Sequence, residues 1–219
     1  MIAEKLQKIQ ATLPHNVCLI AVSKTKPVSA IQEAYDAGQR DFGENKVQEL
    51  LEKQAQLPKD IRWHLIGHLQ TNKVKYAAEF VHLIHAVDSL KLLVEIDKQA
   101  KKHMRTQKVL LQFFIAQEET KFGLEMHEAI ELLESVAYQS LQNVEICGVM
   151  GMASFTNDEQ QVQKEFEHLR TIYSTLKQRY FTEQSSFSEI SMGMSGDYPI
   201  AIKSGSTMIR VGSSIFGGR

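Results

Sequence analysis

Short apolar runs alternate along the chain with longer segments whose apolar residues recur every three or four positions. The short runs predict strands over Cys18–Val22, Asp41–Gly43, Trp63–Ile66, Leu83–Val87, Val109–Ile115, Glu145–Val149, Glu189–Ser191 and Met208–Val211. Helical spacing falls between them, over Val28–Ala37, Asn45–Gln56, Asn72–Glu79, Leu90–His103, Met126–Gln139, Asp158–Tyr180 and, briefly, Tyr198–Lys203. A further helix is expected over Ile2–Leu13, ahead of the first strand. Ile130, Leu133 and Val136 or Ala137 keep core spacing in the Met126 segment, and Thr156-Asn157-Asp158 is a capping sequence for the helix after it. Strands alternating with helices imply a parallel sheet, and eight of them point to closure into a (β/α)8 TIM barrel. An open doubly wound sheet is the alternative, but no Gly-x-Gly-x-x-Gly follows the first strand. We expect one domain over residues 1–219. The chain shows no linker, repeat or low-complexity tract, and with eight residues after Val211 no second domain is expected to follow.

Composition narrows the function class. The formal net charge is −1 with no long basic run, so bulk charge makes no case for nucleic acid. Met1–Leu6 has no signal-peptide apolar core, and no window approaches 18 uninterrupted apolar residues. The expectation is a cytoplasmic chain with no membrane partner. Cys18 and Cys147 both lie in strand-like apolar runs and read as free core thiols in a reducing compartment. His64 and His68 are four apart but flank a strand end, with no cysteine or clustered carboxylate to complete a tetrahedral set, so no metal site is expected.

The first predicted strand ends on Lys24, followed by a turn at Lys26-Pro27. A lysine at a strand end sits at the open mouth of its sheet, partly buried, and burial disfavours the ammonium form. Such an amine can form a Schiff base with an aldehyde, although a strand-end lysine more often simply reaches to solvent. The other end of the chain adds weight. Ser191-Met192-Gly193-Met194-Ser195-Gly196-Asp197 joins the seventh strand to a short helix, and Gly212-Ser213-Ser214 follows the eighth. Glycines with hydroxyls at two helix starts favour an anion, and loops after strands seven and eight form the usual phosphate site of a TIM barrel. Arg210 lies within the eighth strand, where an inward side chain needs a carboxylate or a ligand acceptor. Strand one neighbours strand eight around a closed barrel, so Lys24, Arg210 and both loops converge on one end. An aldehyde, a ring acceptor and a phosphate together would satisfy them, and pyridoxal 5'-phosphate has those groups. Elsewhere, Asp88-Ser89 reads as a helix cap, Glu118–Gly123 as a solvated loop facing the site, and Met150–Ser154 as a small, flexible lining.

Ala21–Pro27, Phe42-Gly43-Glu44-Asn45, Trp63–Lys73, Ser191–Ser195 and Gly205–Gly212 resemble the pyridoxal phosphate homeostasis protein family, which is related to the barrel domain of alanine racemase. The resemblance runs from about Leu19 to Phe216. It implies a fold-type-III barrel with the cofactor held as an aldimine on Lys24. It also implies Arg210 at the pyridine nitrogen, Ser191, Gly212 and Ser213 around the phosphate with Ser195 beside them, and Asn45 and His68 near the ring. The implied function is a non-catalytic carrier in intracellular vitamin B6 homeostasis, with apo forms of pyridoxal phosphate enzymes as partners and a monomeric state. An amino-acid racemase using Lys24 is the alternative. Racemisation needs a base on each face, and alanine racemases bring the second base with a further domain. An arginine at the ring nitrogen also makes the ring a poorer electron sink. A barrel for some other phosphorylated metabolite, with Lys24 structural, is the third reading.

Overall fold

The computed structural model describes residues 1–117 and 123–218. The expected barrel forms. Strands β1 (Cys18–Val22), β2 (Asp41–Glu44), β3 (Arg62–Leu65), β4 (Leu83–Val87), β5 (Gln107–Gln112), β6 (Val144–Met150), β7 (Glu189–Met194) and β8 (Met208–Val211) close in sequence order. All are parallel, and β1 completes the ring against β8 with Ile20 opposite Arg210. Helix α1 (Ile2–Gln10) precedes the barrel. The crossovers carry α2 (Val28–Asp36), α3 (Val47–Gln56), α4 (Val74–Ala77), α5 (Leu90–Lys102), α6 (Met126–Glu134), α7 (Val136–Gln139), α8 (Glu159–Tyr180), α9 (Tyr198–Lys203) and, after β8, α10 (Ser213–Phe216).

The expected helix over Met126–Gln139 is two pieces. Ser135 adopts an extended conformation (ψ 141°), and its hydroxyl accepts the Tyr138 N–H, so it caps a new turn rather than continuing the old one. Thr71–Lys73 is a single 3₁₀ turn ahead of α4. The expected caps form at Ser89, which accepts from the Leu92 N–H, and at Asp158, which accepts from the Gln160 and Gln161 N–H groups. The predicted loop at 118–122 lies outside the described residues.

Strand parity sorts the side chains into two cores. One set, including Leu19, Ala21, Phe42, Trp63, Leu65 and Ile84, packs under the helices in one large apolar layer. Inside the barrel the apolar cluster is small: Leu83, Ala86, Leu110, Cys147 and Met150. The remaining interior is polar, with Asp41, His64, His85, Ser191 and Arg210 all buried.

The seventh strand runs past Ser191 to Met194, and its register against β8 slips there: Ser191 faces Met208, whereas Met194 faces Arg210. Gly193 makes this possible. Its φ is 95°, and a Cβ there would lie 2.6 Å from the Ala201 Cβ, so glycine lets α9 seat against the strand end. Among the described residues no helix is long and apolar enough to cross a membrane.

Candidate functional site

Lys24 lies two residues past the end of β1, at the C-terminal mouth of the barrel, and is half-buried. Among the described residues its amine has no hydrogen bond or ion pair. The turn that carries it is held from α3. The Lys53 ammonium donates to the Ser23 carbonyl at 2.8 Å, to Glu44 Oε1 at 2.7 Å and to Glu49 Oε1 at 2.6 Å. The Ser23 hydroxyl donates to Glu44 Oε1, and the Thr25 N–H donates to Glu49 Oε1. Burial raises the Glu44 carboxyl against the opposing pull of Lys53 and Ser23, and its second oxygen is buried with no partner. Thr25 itself sits at φ 65°, a left-handed conformation that β-branched residues rarely adopt. Lys26 is tied as well, its ammonium donating to the Gly217 and Gly218 carbonyls beyond α10.

Opposite Lys24, Arg210 is buried. Its Nη1 donates to the Ser191 hydroxyl at 2.6 Å and its Nη2 to the Gly151 carbonyl at 3.0 Å. Burial pulls the guanidinium down to about 10, with Asp197 opposing that shift, and burial likewise raises the Asp197 carboxyl. Arg210 therefore rests on neutral acceptors, and among the described residues it forms no salt bridge.

The two glycine-and-hydroxyl loops meet. Ser195 Oγ accepts from the Gly212 N–H at 3.1 Å and the Ser214 N–H at 3.5 Å, and Ser213 is exposed beside them. Asn45 follows β2 and is half-buried, wedged against the β3 loop. A Cβ on Gly67 would lie 2.6 Å from the Asn45 carbonyl oxygen, so only glycine lets these loops approach. His68 is exposed and faces Asp88, with Nδ1 3.7 Å from Oδ2. Lys24, Ser195, Arg210, Gly212 and Ser213 thus share one mouth, with Asn45 and His68 on its β2–β3 side. Ser191 lies within the barrel, bonded to Arg210 and to His85 rather than to the two loops.

Sequence reasoning missed the groups behind this mouth. The Glu44–Lys53–Glu49 cage is one. Another is Glu165 on α8, whose carboxylate accepts from the Ser154 N–H and hydroxyl and from the Gln117 N–H, fastening the β5 and β6 loops together. A third is a file of hydrogen bonds inside the barrel: Ser191 Oγ to His85 Nδ1, 2.9 Å; His85 Nε2 to His64 Nδ1, 2.9 Å; His64 Nε2 to Asp41 Oδ1, 3.0 Å. Polar residues at inward parity in strands were the available signal. Both thiols are free, and burial pushes each up to about 12, which suits packing rather than chemistry. Among the described residues no group of three or more His, Cys, Asp or Glu is placed to hold a metal ion.

A closed parallel barrel with a lysine at the mouth of β1 and an arginine in β8 is the architecture of a known class. The family model described as the alanine racemase N-terminal domain matches residues 1–219, and the chain belongs to that family, within it to the pyridoxal phosphate homeostasis proteins. The protein of that name from Synechocystis is 40% identical over 214 residues, covering 97% of this chain and 96% of its own. The one from Escherichia coli K12 is 38% identical over 213 residues, covering 94% of this chain and 87% of its own. The structure of PipY from Synechococcus elongatus, solved with PLP bound, is 41% identical, covers 99% of this chain and all of that one, and superposes with a TM-score of 0.88. An alanine racemase from Clostridium difficile shares the fold at a TM-score of 0.78 with 15% identity, this chain covering 56% of it.

Proposed function

We propose that this chain binds pyridoxal 5'-phosphate at the C-terminal mouth and serves in vitamin B6 homeostasis, holding and releasing the cofactor rather than turning over a substrate. The observation that carries the reading is the contrast among neighbouring lysines. Lys26 and Lys53 spend their donors on protein carbonyls and carboxylates, while Lys24 keeps its amine free at the mouth. The residues present fit the group. Arg210 is a buried cation on neutral acceptors, which a ring nitrogen lone pair complements. Ser195 and Ser213 bring hydroxyls to one place for a phosphate, beside the Gly212 N–H that bonds Ser195 Oγ. When bound, the cofactor supplies an aldehyde that condenses with primary amines.

In this reading Lys24 would present the primary amine that the aldehyde takes up. Arg210 would keep its proton and offer a donor to the ring nitrogen, which would leave that nitrogen unprotonated and the ring a weaker electron sink. Ser191 supports Arg210 from below rather than touching the phosphate. The relatives' name and the PLP-bound PipY structure support the same assignment. Apo forms of pyridoxal phosphate enzymes are the recipients expected of a carrier.

The test is an absorption spectrum before and after borohydride reduction, with the modified lysine mapped by mass spectrometry. A visible band lost on reduction and a label on Lys24 support the reading, whereas a label on Lys26 overturns the assignment. Incubation with single enantiomers of common amino acids addresses the racemase alternative. Loss of optical purity at about 1–10³ turnovers per second would overturn the carrier reading.

A further inference from the structure

The file of hydrogen bonds inside the barrel has a chemically determined direction. At its upper end the Arg210 guanidinium is donor-only, so Ser191 Oγ must accept from Nη1. The Ser191 oxygen could still accept a second bond, so it is the acceptor-only Asp41 end that leaves His85 Nδ1 bare and sends the Ser191 proton to it. A neutral His85 carries its proton on Nε2 and donates it to His64 Nδ1. His64 in turn carries its proton on Nε2 and donates it to Asp41 Oδ1, an ionised carboxylate that only accepts. Arg62 grips the same carboxylate with Nε and Nη2 at the opposite mouth, which fixes the lower end. A cation at one end and an anion at the other thus leave a single way to fill every link with neutral rings.

The surroundings hold the file in that state. His85 and Ser191 are fully buried and His64 is 1% exposed, so water does not substitute for a missing link. Burial above all holds the His85 ring well below its ordinary value. The titratable and charged groups facing the two rings are Asp41 on β2, His82 just before β4 and Arg210 on β8. Burial raises the Asp41 carboxyl, but the hydrogen bonds from His64 and Arg62 outweigh it and hold the group ionised, well below the usual range. One added proton would reverse the links. His64 would donate from Nδ1 to His85, His85 would donate from Nδ1 to Ser191, and the Ser191 oxygen would face two donors.

We infer that Asp41, His64 and His85 are positioning residues for Arg210: from the far mouth of the barrel they fix the direction of the Ser191 hydroxyl, so that the cofactor-facing arginine always meets an acceptor beneath it. This rests on the reading of Arg210 as the cation at the cofactor ring. The three act on Arg210 through Ser191.

Two measurements test it. In the protein without cofactor, ¹⁵N NMR of the histidine side chains is expected to show His64 and His85 both neutral with the proton on Nε2. Either ring charged at neutral pH, or protonated on Nδ1 alone, overturns the relay without reference to any ligand. In the second, pyridoxal phosphate is titrated into wild type, Asp41→Asn and Asp41→Leu. Asparagine retains an oxygen acceptor for His64, so Asp41→Asn should bind and absorb nearly as wild type does. Asp41→Leu should weaken binding by about tenfold and shift the absorption maximum of the bound cofactor. Wild-type affinity and spectrum in Asp41→Leu overturn the positioning role. If wild type itself fails to bind pyridoxal phosphate, the functional reading fails, and the tautomers still decide the relay.

Discussion

The mouth of the barrel and the polar framework behind it treat the same kinds of groups in opposite ways. At the mouth, the Lys24 amine has no partner among the described residues and Ser213 is exposed. Behind it, Lys53 fills three acceptors, Ser191 is bonded on both sides, and two histidines link Ser191 to Asp41. Unpaired polar groups are costly when buried and cheap when water reaches them. A site can therefore leave its ligand-meeting groups open only at the surface, and must satisfy the groups that hold them in place. The Lys24 amine is left open because its neighbours are satisfied.

The sharpest way to break this comparison is at Lys24. Lys24→Ala should abolish the borohydride-trapped adduct while leaving the thermal midpoint close to wild type, because that amine supports nothing in the fold. A large fall in the midpoint would show Lys24 to be structural. Lys53→Met should do the reverse. It strands Glu44 as a buried carboxylate beside Glu49, and removing one partner of a buried pair costs about 3–5 kcal/mol. Urea unfolding measures it, and a loss below about 1 kcal/mol would mean the cage behaves as a surface pair.

Ser195→Ala combined with Ser213→Ala removes mouth hydroxyls alone. We expect about 1–3 kcal/mol weaker binding of the phosphate ester, read by titration, with the preference over pyridoxal reduced and stability unchanged. An unaltered preference would remove both hydroxyls from the phosphate site. A smaller effect should appear in acid. Burial, with His64 adding to it, pushes His82 down to about 4 from an ordinary 6.5, and His85 is lowered too. Between those values the unfolded chain binds more protons than the folded one, so stability present above pH 6.5 is progressively lost towards pH 4. Asp41, lowered in the fold, adds its own loss only below the ordinary carboxylate range. His82→Asn should flatten part of the first slope in urea midpoints measured against pH, and identical slopes would contradict the assignment.

Most of the barrel was legible because each strand is a short apolar run: Cys18–Val22, Leu83–Val87 and Met208–Val211 form as expected. The α6–α7 break was not, since Ser135 is neutral within a helical pattern until its hydroxyl finds the Tyr138 N–H. At the site, the positions of Lys24 and Arg210 at one mouth were legible from strand ends and parity. The contact between Ser191 and His85 was not, because the two lie 106 residues apart in sequence. His64 was weighed only against His68 as a metal ligand, whereas its partners Asp41 and His85 come from neighbouring strands and depend on register.

Thr25 remains to be accounted for. A β-branched residue in the left-handed region carries about 1–3 kcal/mol of conformational cost, and here it stands immediately after Lys24 with its N–H on Glu49. Released from α3, that peptide would swing to an easier conformation and carry the amine with it. Held as it is, the turn is a drawn spring with its catch on another helix. Under the cofactor-binding reading proposed above, an arriving aldehyde would meet an amine already in place, with little binding free energy spent on ordering the loop. Loading and unloading would then proceed against the same rigid template.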